Sequence, residues 1–394
     1  MLQLNGQAKR FTPAGEHCFF GYYDIPAFRK DGKQHLFLKV PFWDRMQERN
    51  DVAELFVHDF ETGADVKFDE TKAWNFQQAC MLQWHPTREN TVIYNVRGET
   101  ECGYGAVIRD LATGKTQFLD RPVANVAQNG LYSVSVNFDR MFDFRPGYGY
   151  AGRRDDFFDV NHPAEDGVFI TDFATGKSRL LVSLDQIWDF CGKRFFGCEQ
   201  KIMINHITFN PAGDRLVFLV RNFYEKGGMW VTAILTCDVK TGELFLLSDF
   251  AMASHYHWKN DKVVTFYSDG REVSDLGAQL YELTDLTHEG TAIDPAFFLR
   301  DGHNSYSPDH RFMLYDSYIF PNQTRELYLY NLETRKGGLL GVYSVPKFCD
   351  GDIRCDLHPV WAPDSRTISF DSVHEGFRGT YLMDLAEPQR ILSE

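Results

Sequence analysis

The chain has 394 residues, 43% hydrophobic and 15% aromatic, which allows a large core and argues against disorder. Its 41 basic and 55 acidic residues give a formal charge of −14, the wrong sign for a general nucleic-acid binder. A small anionic ligand is still allowed, because a pocket's local field outweighs the global sum.

The opening stretch, MLQLNGQAKRFTPAGEH, lacks the apolar core of a signal peptide, and no apolar run reaches membrane-spanning length. The eight cysteines show no CxxC spacing and read as reduced, mostly buried thiols. These features predict a cytoplasmic protein with neither a membrane nor a nucleic-acid partner. They say nothing about oligomeric state.

Two signals alternate along the chain. The first is an aromatic residue, a turn and a β-rich run. It starts at Phe28 (FRKDGKQHLFLKV), Trp84 (WHPTRENTVIYNV) and, shortened, at Val136 (VNFDRMFDF). Fuller copies start at Phe209, Trp258, Tyr306 and Trp361. The second signal is an Asp-x-x-Thr-Gly turn at Asp59, Asp110, Asp172 and Asp238, with weaker versions near Asp285, Asn331 and Asp384. Asp opens such a turn by bonding its own backbone, and Gly supplies the positive φ that closes it.

Seven alternations of the two signals imply two hairpins in each period of about 50 residues. The predicted fold class is all-β: a seven-bladed β-propeller with four-stranded antiparallel blades. Residues 1–394 read as one propeller domain with an insertion at about 145–167. The segment near Ala8–Thr12 is expected to complete the last blade, because closure removes two sheet edges.

Four histidines hold one register in consecutive repeats. His206, His255, His303 and His358 each stand three residues before the aromatic. Equivalent positions of a repeat array face the same axis, so imidazoles distant in sequence are expected to meet. Residues two apart share a side of a strand, which adds His257 beside His255 and Asp356 beside His358. Neutral imidazoles plus a carboxylate suit a divalent ion such as Mn²⁺ or Zn²⁺, with Ca²⁺ the oxygen-favouring alternative.

The ends of the second strands should reach the same face, and there the sequence offers Lys39, Arg97, Arg221, Arg271 and Arg378. Arginines on one rim suit a carboxylate-bearing ligand. Tyr22 and Tyr23 in FFGYYD precede the first blade's inner strand, where a sugar ring could stack and a phenol donate a proton. Asp24 breaks that apolar run and reads as solvent-facing. GxSxG, phosphate-binding Gly-rich loops and HExxH are all missing.

The stretches INHITFNPAGDRL, SHYHWKND, HNSYSPDHR and CDLHPVWAPDSRTISF resemble the oligogalacturonate lyases, cytosolic seven-bladed propellers that degrade uronic-acid oligomers. The resemblance spans roughly the C-terminal half, with only the blade period shared before it. It implies a divalent metal, typically manganese, and a small acidic oligosaccharide as substrate. It further implies His255 and His358 as metal ligands and His206 as the base. Where that family has a second histidine two residues before the last, this chain has Asp356, so His303 would complete the set. The family's assisting arginine precedes its base in sequence, whereas Arg221 follows His206. On this reading His206, Arg221 and Tyr22 are catalytic, and Arg97, Tyr23, Asp24 and Arg378 bind substrate. His255, His303, His358 and Asp356 hold the metal. Two other readings stand beside it: a non-catalytic propeller that binds a glycan or protein at its rim, and a glycoside hydrolase using Asp24, Asp316, Asp356 or Asp371.

Overall fold

The computed structural model describes residues 1–192, 201–223, 230–271 and 273–394. The protein is a seven-bladed β-propeller whose strands form seven sheets. Blade 1 comprises His17–Phe19, Gln34–Val40, Ala53–Asp59 and Ala64–Thr71. Blade 2 begins at Gln83–Trp84, blade 3 at Asn125–Val126, blade 4 at Ile202–Phe209 and blade 5 at Ala253–Trp258. Blade 6 begins at Asn304–Tyr306 and blade 7 at Val360–Trp361. No helix among the described residues is long and apolar enough to cross a membrane.

The chain divides into two compact units. One is Met1–Trp84 with Arg300–Glu394, and the other is His85–Leu299. The first contains blades 1, 6 and 7. Its core packs Phe312, Leu314, Leu327 and Leu329 of blade 6 against Ile368, Phe370, Tyr381 and Met383 of blade 7. The second contains blades 3, 4 and 5. There Val217, Leu219 and Ile234 of blade 4 meet Tyr256, Trp258, Val264 and Phe266 of blade 5.

Both repeated signals have a structural cause. In the Asp-x-x-Thr-Gly turns, the carboxylates of Asp59, Asp110, Asp172 and Asp238 each accept the backbone N–H groups two and three residues on. The closing glycines Gly63, Gly114, Gly176 and Gly242 all have φ between 70° and 78°. The aromatic of the other signal stitches one blade to the next. The indole N–H of Trp84 donates to Ala27 O (3.0 Å), that of Trp258 to Thr208 O (3.3 Å), and that of Trp361 to Ser305 O (3.3 Å). Each acceptor lies one residue before the preceding blade's own aromatic, so the seam repeats with the blades.

As expected, the N-terminal segment closes blade 7: Ala8–Arg10 pairs antiparallel with Gly379–Asp384. Leu2–Gln3 adds an unforeseen fifth strand to blade 6, parallel to Lys336–Ser344. The VNFDRMFDF reading needs correction. Phe138–Phe144 is a helix, capped by Asn137, whose side chain accepts from Arg140 N. The inner hairpin of blade 3 is instead Asn125–Val126 with Tyr132–Ser135. The excursion before the third strand of that blade, Gly167–Asp172, therefore spans residues 136–166.

Candidate metal centre

In the first unit, three side chains from the end of the chain come together. His303 stands immediately before the first strand of blade 6, and His358 two residues before that of blade 7. Asp356 lies in the loop after the short 3₁₀ turn Gly351–Ile353. Ligand atoms of His303, Asp356 and His358 all lie within 4.8 Å of one another, and all three residues are buried. This is the group of metal-ligating side chains in mutual reach among the described residues. The imidazole centroids of His303 and His358 are 4.3 Å apart, and His358 Nε2 is 3.9 Å from Asp356 Oδ2.

Each member is held from behind. Asp316, at the end of blade 6's second strand, binds the His303 ring at Nδ1 (2.9 Å), which makes Nε2 the ligand atom. Its other oxygen accepts the His358 backbone N–H at 3.2 Å. Burial raises the Asp316 carboxyl to about 7. Asp356 sits between two guanidiniums, with Arg325 Nη1 at 2.6 Å from Oδ1 and Arg354 Nε at 2.7 Å from Oδ2. Burial pushes the Asp356 pKa upward, but Arg325 and Arg354 outweigh it and hold the carboxyl well below its ordinary range. Burial, reinforced by His303, keeps His358 well below the usual imidazole value and therefore neutral. His358 also holds a left-handed backbone, φ 41°, an uncommon conformation for a non-glycine residue that tends to mark functional sites.

These residues fit a divalent ion. The set is two neutral imidazoles and one carboxylate, the composition that first-row metals favour. His358 Nε2 is buried without a hydrogen-bond partner, a state that a ligand bond would relieve. The carboxylate behind His303 is the usual support for a metal-bound imidazole.

The FFGYYD loop packs against this group. Tyr22 meets the His358 ring edge-on at 5.0 Å, and Tyr23 lies 4.9 Å from His303. Asp371 fixes the loop by accepting the backbone N–H groups of Phe20 (3.0 Å) and Gly21 (3.2 Å). Gly21 is required there: at φ +129° a Cβ would stand 3.0 Å from Ala79 Cβ and 3.1 Å from Gln78 C. Asp24 is only half-buried, and its carboxyl is raised to about 7 by burial.

The remaining expected site residues have these places. Arg378 is 1% exposed, and its guanidinium donates to Ile353 O and to Arg354 O (3.0 Å), bracing the loop that presents Asp356. Lys39 pairs with Glu16 and Glu54. In the second unit, Arg97 donates to Ala151 O and lies over the Tyr104 ring at 5.1 Å. Arg271 pairs with Asp269. His206 occupies a β-bulge between Asn205 and Ile207 with φ 56°, its ring edge-on to Tyr148 at 5.1 Å. Arg221 donates to Asn205 Oδ1 (2.7 Å), Thr232 Oγ1 (3.1 Å) and Ala253 O (3.4 Å). His255 is buried, 3.2 Å from Ser254 Oγ, and is not in the three-residue group. It lies inside a register irregularity between Ala253 and Tyr256, so simple alternation does not tie it to His257.

Sequence reasoning missed Arg325 and Arg354 and gave Asp316 another role. Of the carboxylates considered for a hydrolase, Asp316, Asp356 and Asp371 are all engaged by the fold. Arg354 could have been found from its place two residues before Asp356, but Arg325 carries no local signal.

Comparison with solved structures sets this site on a known scaffold. An oligogalacturonate lyase in complex with manganese superposes with a TM-score of 0.68 at 16% identity, over 97% of this chain and 94% of that one. An oligogalacturonate lyase from Vibrio parahaemolyticus gives 0.66 at 16% identity, with the same coverage of both chains. The fold is that of the oligogalacturonate lyases. The tricorn protease follows at 0.54 and 13% identity, covering 96% of this chain but 35% of its own. Neither a protein-family model nor a curated sequence matches the chain. At this identity the oligogalacturonate lyase likeness is one of architecture, and the chemistry has to be argued from the residues.

Proposed function

We propose that the protein is a metal-assisted lyase that cleaves uronic-acid-containing oligosaccharides by β-elimination. The observation that carries this reading is the buried convergence of His303, Asp356 and His358 on a fold shared end to end with oligogalacturonate lyases. His303 Nε2, His358 Nε2 and Asp356 would hold the ion. Two imidazoles favour a first-row metal over Ca²⁺, and the manganese complex of a similar structure puts Mn²⁺ first. When bound, such an ion supplies Lewis acidity that stabilises negative charge on the substrate carboxylate.

The chain's own groups then have separate tasks. His206, the base that the resemblance implies, takes the proton from C5 of the uronate. The electron pair of that C–H bond forms the C4–C5 double bond, and the C4–O bond breaks. The Tyr22 hydroxyl, on a ring packed against His358, gives a proton to the departing oxygen. Asp316 keeps the His303 ring in one orientation throughout. Tyr23, on the loop packed against His303, is assigned to the substrate together with Asp24 of the same loop.

The test is a panel of uronic-acid oligosaccharides followed by absorbance of the new double bond, with and without chelator. Chelator-sensitive unsaturated products support the proposal. Saturated products, or cleavage indifferent to chelator, overturn it.

A further inference from the structure

The carboxylate of a uronate needs a cationic grip beside the metal centre, and the arginine in best position is none of those the sequence suggests. Arg325 belongs to the third strand of blade 6, Thr324–Asn331, and is 1% exposed. Its Nη1 is spent on Asp356 Oδ1 at 2.6 Å and Ser317 O at 3.3 Å. Its Nε and Nη2 are buried and have no hydrogen-bond partner. Buried charged donors are almost always satisfied, so each exception asks for an acceptor.

We infer that Arg325 is a substrate-binding residue, gripping a sugar carboxylate through the Nε–Nη2 edge of its guanidinium. Two parallel N–H groups on that edge match the two oxygens of a carboxylate side-on. The opposite nitrogen is anchored on Asp356, itself one of the three converging side chains, so the gripped group lies beside that centre. Arg325 and Arg354 both face the carboxylate of Asp356. The other nearby carboxylate, Asp316, spends its oxygens on His303 and His358. An uncharged sugar offers this edge nothing comparable, so Arg325 would discriminate uronates from neutral hexoses.

The inference depends on the lyase proposal only for the identity of the sugar. It is tested by isothermal titration of the full-length protein with D-galacturonate and with D-galactose, both metal-stripped and Mn²⁺-loaded. Wild type should bind galacturonate at least tenfold more tightly than galactose. Arg325→Lys, which keeps a charge opposite Asp356 but loses the two-pronged edge, should lose at least tenfold in galacturonate affinity with a native circular-dichroism spectrum. A folded Arg325→Lys with wild-type affinity overturns the inference. So does a wild type that binds the two sugars alike in both metal states. Should the variant fail to fold, a crystal structure of wild type with galacturonate decides: the carboxylate on Nε and Nη2 supports the inference, and any other seat overturns it. Binding lost in Arg325→Lys with no unsaturated product from wild type would sink the lyase reading and leave this one standing. Unsaturated product together with unchanged Arg325→Lys binding would do the reverse.

Discussion

His303 and Asp316 hold each other at three points. The His303 backbone N–H donates to Asp316 Oδ1 at 2.8 Å, the ring Nδ1 lies 2.9 Å from the same oxygen, and the Asp316 N–H returns to His303 O at 3.1 Å. The arrangement fixes the imidazole before any ligand arrives. Removing such a support typically lowers metal affinity about 10- to 100-fold. Asp316→Asn should therefore weaken Mn²⁺ binding by that factor in a calorimetric titration. Unchanged affinity would make Asp316 a purely structural residue.

Asp356 has a double role that its own removal should expose. Arg325 and Arg354 both depend on it, and it is 2% exposed. Taking away one partner of a buried ion pair costs about 3–5 kcal/mol, because the cation left behind is uncompensated. Asp356→Ala should lose stability on that scale in chemical denaturation as well as losing metal. A loss below about 1 kcal/mol would contradict the buried pairing.

His206 can be separated from the metal ligands. His206→Ala should abolish formation of unsaturated product while metal content, measured by mass spectrometry, stays at the wild-type level. Joint loss of metal and activity would reassign His206 as a ligand.

Away from the site, His35 predicts an acid-sensitive seam between blades 1 and 7. The ring is fully buried, its Nδ1 bonds Leu36 O at 2.7 Å, and its Nε2 meets Ser369 Oγ at 2.8 Å. Burial lowers its pKa to about 3. With a folded value below the unfolded 6.5, the unfolded chain binds the extra proton. Stability is therefore full above pH 6.5 and falls toward pH 3, by about 1.4 kcal/mol per pH unit from this one group. His35→Gln should flatten the acid branch of the stability curve by up to one proton, whatever it costs at neutral pH. An unchanged slope would show that His35 is not the titrating group.

What the sequence revealed was local or periodic. The Asp59 turn can be read from five residues, and the Trp258 and Trp361 seam recurs because every blade needs the same contact. The Ala8–Arg10 closure followed from a last blade short of a strand. Other features had no such signature. Leu2–Gln3 is two residues long and exposed, too short to show a pattern. Asn137 turns an apparent strand into a helix through a cap that a β-rich context hides. The bulge at His206 and the irregularity at His255 break the alternation from which side-chain direction was inferred. Arg325 meets Asp356 across 31 positions of chain, a pairing made by neighbouring blades and invisible in either segment alone.

The account rests on one ion held by three side chains. Its most direct test is the metal stoichiometry, by mass spectrometry, of wild type and of His358→Ala, each equilibrated with Mn²⁺ and passed through a desalting column. Near-stoichiometric metal in wild type and its loss in a folded His358→Ala is the predicted result. Full retention by the variant, or no retained metal in wild type, would contradict it.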